Sequence, residues 1–142
     1  MIYTETTKKA IKLMFEAHKN QVDKSGLPYV FHPFHLAEQM NDENTTIVAL
    51  LHDVIEDTEI TLDDLSEMGF CETVCEAIAV MTHIKDVPYM EYVAKIKQNP
   101  IARIVKLADL KHNSDLSRLD RIDEKALARA EKYRAAIALL EF

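Results

Sequence analysis

ALLHDVIEDT, residues 49–58, begins as a run meant for burial and then places His52, Asp53, Glu56 and Asp57 within six positions. An unpaired charge in a protein interior is too costly to stand there without a partner. At 3.6 residues per turn, positions 52 and 56 share one face and 53 and 57 lie beside them. Residues 44–57 therefore read as one helix with a polar stripe, while Leu50, Leu51, Val54 and Ile55 pack elsewhere. Three acids so close repel one another and raise each other's pKa values unless a cation lies among them. A divalent metal ion answers that need.

The flanking sequence carries the same helical period. Ala10, Ile11, Met14, Phe15 and His18 predict an amphipathic helix over 4–19. Gly26 and Pro28 break a polar loop, and Pro33 suits the first position of a short helix to about Met40. Thr61 reads as the N-cap of a helix over LDDLSEM that Gly69 ends. Further helices are expected over 71–82, from Pro88 to 98, over 100–113, and through the tail from Asp123. No stretch alternates like a strand. The expected class is all-α, seven to eight helices in a single domain spanning residues 1–142.

Composition narrows the function. A formal charge of −7 excludes a broad basic surface for nucleic acid. The longest apolar run, Ile47 to Leu51, is too short to cross a membrane, and the N-terminus lacks a signal-peptide core. A cytoplasmic location is expected. Cys71 and Cys75 have no second Cys or His pair at zinc-ribbon spacing and read as core thiols. The tail residues Ile137, Leu139, Leu140 and Phe142 could pack internally or against a second copy, so a homodimer stays open.

His52 and Asp53 alone would hold an ion poorly. His32, in YVFHPF, and Asp109, after the apolar run in VKLAD, have contexts that suit two further ligands. Two imidazoles and two carboxylates with open positions suit a Mn²⁺- or Fe-type ion better than a closed structural zinc site. Co²⁺ and Zn²⁺ share these donors. His18, His35 and His83 read as ordinary satisfied core histidines, and His112 stays open because of its place beside the cluster.

HD at 52–53, ED at 56–57 and LAD at 107–109 together resemble the HD-domain metal-dependent phosphohydrolases. The likeness is closest to the hydrolase domain of the RelA/SpoT homologues, which remove pyrophosphate from (p)ppGpp. KSGLPYVFHP (24–33), IVALLHDVIEDT (47–58), VMTHIKD (80–86, weakly) and IVKLADLKHN (104–113) occur in that family's order. The length leaves no room for a synthetase domain, so the small hydrolase-only members are the nearest type. The resemblance implies an HD-domain helical bundle with His32, His52, Asp53 and Asp109 as metal ligands. It makes Glu56 and Asp57 the catalytic acids, and Lys24, Ser25 and Asn113 the contacts to a nucleotide substrate. Lys106, Arg103 and Lys111 are weaker candidates for phosphate. Asp23 stands where the family usually has a base, and Asp115 where many members have Arg. An acid facing a polyphosphate points to an alternative, the same metal site acting on another nucleotide or phosphoester. A further alternative is a non-catalytic nucleotide-binding module, against which the presence of all six metal and catalytic residues counts.

Overall fold

The helices begin where side chains can cap them. In the computed structural model, which describes residues 1–142, Thr4 and Thr7 form a reciprocal capping box that opens α1, Glu5–His18. Asp42 caps α3 (Glu43–Leu51), and Thr61 with Asp64 forms a second capping box on α5 (Leu62–Glu67). Asn99 accepts from the amides of Ile101 and Ala102 to open α8, Pro100–Asn113, with Pro100 in the first turn. Asp123 caps α9, Glu124–Glu141. Each such cap is worth about 1 kcal/mol. The remaining helices are α2 (Phe31–Glu38), α4 (Val54–Asp57), α6 (Glu72–Met81) and α7 (Tyr89–Lys97). One 3₁₀ turn covers Leu116–Arg118, and a lone bridge joins Val22 to Pro28.

Two boundaries depart from expectation. The helix expected over 44–57 is broken: α3 stops at Leu51 and α4 restarts at Val54, with Asp53 at φ −103 and ψ 0. His52 Nδ1 donates to the Ala49 carbonyl at 2.7 Å, the acceptor that an uninterrupted helix presents to the amide of residue 53. The second helix starts at Phe31, so Pro33 sits inside the first turn, where a missing N–H costs nothing. Gly69, at φ +95, ends α5 as expected. Cys71 is exposed at the N-cap of α6 rather than in the core, and Cys75 is half-buried.

Seven consecutive α3 residues, Thr45 to Leu51, are buried. A helix apolar on every side needs neighbours all round, and α1, α2, α6 and α8 supply them. α9 lies across α7 and α8, burying Ala136 and Leu140 and packing Ile137 and Leu139 on the core, while Phe142 is left exposed. No helix is long and apolar enough to cross a membrane. The buried α3 thus delivers the residue that follows it, His52, to a point that α2 and α8 also reach. Replacing the fully buried Leu50 with Ala should cost about 2–5 kcal/mol, read from urea unfolding; a loss under about 1 kcal/mol would contradict α3 as the central element.

Candidate active site

Three elements converge on one small volume. His32 comes from the first turn of α2, His52 from the end of α3 and Asp109 from α8; all three are buried, with ligand-type atoms within 4.8 Å of one another. His32 Nε2 is 2.8 Å from Asp109 Oδ1. His52 Nε2 lies 3.0 Å from Asp53 Oδ2 and 3.5 Å from Asp109 Oδ1, yet is aligned for a hydrogen bond with neither. A buried ring nitrogen directed at two acids, well aligned with neither, is a donor that a divalent cation could use. The donors, two imidazoles and a carboxylate with a second carboxylate adjacent, fit a divalent metal ion. Asp53 stands at the edge of this group, where the Tyr29 hydroxyl donates to its Oδ2.

The charges of the cluster are compensated by Lys106, a residue whose sequence context reads as solvated surface. Its Nζ sits 2.8 Å from Asp109 Oδ2, its side chain mostly withdrawn from water and 5.5 Å from the centre of the Tyr92 ring. Its amine is thus committed to Asp109, and it does not line the neighbouring cleft. Burial alone would lower the Lys106 pKa, but Asp109 overrides it and holds the amine well above its ordinary range. Burial would likewise raise Asp109, and Lys106 with the two histidines pulls it well below the usual carboxylate range. For His52, burial opposes charge, yet Asp53 and Asp109 hold its pKa well above the ordinary value. Asp53, against its own burial, is pulled down to about 2 by His52. The spacing of Lys106 and Asp109, three apart on a helix, was the available signal, but it is shared with every surface ion pair.

Glu56 and Asp57 follow on α4, both more open to solvent than the cluster. The His83 amide donates to Glu56 Oε1, a contact between the ends of α4 and α6. Partial burial, with Asp53 nearby, raises the pKa of both acids. A carboxyl group shifted upward beside a cation site is suited to moving protons near neutral pH.

Next to the cluster lies a cleft of about 580 Å³ that Tyr29, His32 and Asp57 help to line. Lys24, Ser25 and Asn113, the residues the resemblance makes substrate contacts, all line it. Asn113 is partly committed, since its Nδ2 donates to Asp109 Oδ1 at 3.1 Å. Arg118, Arg129 and Tyr133 also line the cleft and were not foreseen; two of them come from α9, whose pattern reads only as packing. Arg103 and Lys111 do not line it, and Lys111 pairs with Glu141 at the surface. Asp23 presents no bare charge. Its Oδ1 accepts from the amides of Ser25 and Leu27 at 2.8 and 3.0 Å, and its Oδ2 meets Arg118 at 3.2 Å. Asp115 caps the 3₁₀ turn, accepting from Ser117.

No family model matches the sequence. Among curated proteins, the chain is similar to guanosine-3′,5′-bis(diphosphate) 3′-pyrophosphohydrolase of Aquifex aeolicus, 31% identical over 142 residues, covering 92% of this chain and 19% of that protein. It is similar to the mouse protein guanosine-3′,5′-bis(diphosphate) 3′-pyrophosphohydrolase MESH1, 38% identical over 120 residues, covering 73% of this chain and 66% of that one. The chain thus spans about a fifth of the bacterial relative and two-thirds of the mouse one. A solved structure described as a metazoan ortholog of SpoT that hydrolyses ppGpp superposes with a TM-score of 0.74 at 23% identity, over 99% of this chain and 85% of that one. The chain belongs to the SpoT-type HD hydrolase family. The all-α fold read from the sequence is the fold of that family.

For a SpoT-type site in this condition, metal binding must compete with a proton. His52 has to release its proton to act as a ligand, and its pKa is raised. If His52 is a ligand, affinity for a divalent metal ion should therefore keep climbing as pH rises past 6.5, the ordinary value for His, by about tenfold per unit for one displaced proton. Calorimetric titrations across roughly pH 6–8.5 would read it; a plateau already reached at about pH 6.5 would contradict a proton held at His52.

Proposed function

We propose that this chain is a metal-dependent pyrophosphohydrolase that cleaves the 3′-pyrophosphate from (p)ppGpp, leaving GDP or GTP, in the cytoplasm. The observation that carries the reading is the His32–His52–Asp109 cluster opening beside a cleft edged by Lys24, Arg118 and Arg129. The relatives named for this reaction support it.

His32, His52, Asp53 and Asp109 are the residues that would hold the ion, most simply Mn²⁺, with Fe²⁺, Co²⁺ and Zn²⁺ sharing the same donors. When bound, such an ion supplies a water of lowered pKa and withdraws charge from a phosphoryl oxygen. Glu56 takes the proton of the attacking water, the task its upward-shifted carboxyl group suits. Asp57, on the cleft wall, assists that transfer. Lys24 meets phosphate charge, Ser25 offers a hydroxyl group, and Asn113 offers its Oδ1 while its amide nitrogen stays on Asp109. The repulsion expected between Asp23 and a polyphosphate is largely cancelled, because Arg118 and two backbone amides already engage that carboxylate.

With Mn²⁺ supplied, the purified chain should release pyrophosphate from ppGpp. Asp53→Ala should abolish both metal binding and turnover while leaving the helical circular dichroism intact. Glu56→Gln should keep the metal but lower kcat by about 10²–10⁴. Release of orthophosphate alone would move the chain to a different phosphoester substrate. Tight nucleotide binding without turnover in any divalent metal would make it a binding module.

Glu56 also gives a stability prediction in metal-free protein. Its pKa is raised in the fold, so its contribution is greatest below the ordinary value of 4.5 and declines as pH rises through the raised value. Glu56→Gln should therefore raise Tm at about pH 7.5 in EDTA, and the gain should vanish on approaching about pH 4. Equal Tm values at both pH values would contradict the shift.

A further inference from the structure

A histidine that binds a metal through Nε2 must carry its proton on Nδ1, and that N–H needs an acceptor to fix the ring. For His52 the acceptor is the Ala49 carbonyl at 2.7 Å. For His32 the partner of Nδ1 is a second imidazole, His112 Nδ1, again at 2.7 Å. The two rings are only 11° from coplanar with centroids 4.9 Å apart. Nitrogens that close cannot belong to rings stacked face to face; the rings lie edge to edge, the arrangement of an in-plane N–H···N hydrogen bond. His35, one turn after His32 on α2, packs against His112 with centroids 4.4 Å apart.

We propose that His112 is a positioning residue for the metal site: with an ion bound, its unprotonated Nδ1 would accept from His32 Nδ1–H and so keep the His32 Nε2 lone pair directed at the ion beside His52 and Asp109. The opposite assignment, with His112 Nδ1–H donating to His32, would place a proton on His32 Nε2 and give it to Asp109 Oδ1, 2.8 Å away. That tautomer cannot ligate. His112 therefore selects between a ligand-competent and a ligand-incompetent His32. α8 carries both halves of the arrangement, since Asp109 and His112 are three residues apart on it, and the imidazole pair ties α8 to α2 across 80 positions of sequence. The role rests on the metal-site reading given above and concerns this chain's own rings.

The test measures Mn²⁺ binding with no substrate present. His112→Phe keeps a flat ring but removes the acceptor, whereas His112→Gln returns a carbonyl acceptor near the same place. His112→Phe should weaken Mn²⁺ binding by about 10–100-fold, His112→Gln should recover most of the loss, and both should melt near the unsubstituted chain. In the zinc-loaded unsubstituted chain, ¹H–¹⁵N spectra should place the His32 proton on Nδ1. Mn²⁺ affinity within about twofold in His112→Phe, no recovery in His112→Gln, or a His32 proton on Nε2 would each overturn the proposal. An unsubstituted chain that binds no divalent ion would instead remove the metal-site reading itself.

Discussion

A carboxylate withdrawn from water at the junction of three helices is the constraint on which the rest of this structure depends. Asp109 could not stay ionised there alone. Lys106 answers one oxygen, and His32, His52 and Asn113 surround the other. Each of these groups needs its own support: Ala49 holds His52, and Tyr29 holds Asp53. The apolar packing of α3 against four neighbours supplies the rigid frame that keeps these side chains in place while one ring nitrogen goes unbonded. Such a buried polar network is stable only when its members are partnered, and His32, His52 and Asp109 form a donor set that could hold a metal ion.

Much of this was legible in the sequence because local rules govern it. The cap at Thr61, the helix start at Pro100, the stop at Gly69 and the 3.6-residue period place the helices within a few residues. The cluster was legible too, since acids and an imidazole crowded onto the end of an apolar run demand a counter-charge. What escaped depends on contacts between distant positions. The same spacing that stacks 52 over 56 also permits the break at His52–Asp53, which arises from a side chain competing for a backbone carbonyl. Asp23 looks repulsive until Arg118, 95 positions away, is found against it. Lys106 carries no mark separating an ion pair in the core from one in water. Arg129 and Tyr133 lie on an amphipathic tail whose periodicity speaks only of packing.

The division of labour follows from burial. His32, His52 and Asp109 lie deep and Asp53 at their edge, while Glu56 and Asp57 sit nearer solvent with raised pKa values. The cleft beyond them carries three acids, Asp23, Asp57 and Asp115, against the cations Lys24, Arg118 and Arg129. Asp23 and Arg118 neutralise each other, which leaves Lys24 and Arg129 as the free cations on that wall. These two are the cations that the proposed polyphosphate substrate would meet there.

Convergence of these side chains on one cation is most directly examined by anomalous diffraction from crystals grown with Mn²⁺. A single strong manganese peak should lie within bonding distance of His32 Nε2, His52 Nε2 and an Asp109 carboxylate oxygen, with Asp53 completing the set. A vacant position there, or manganese bound only at surface acids, would contradict it.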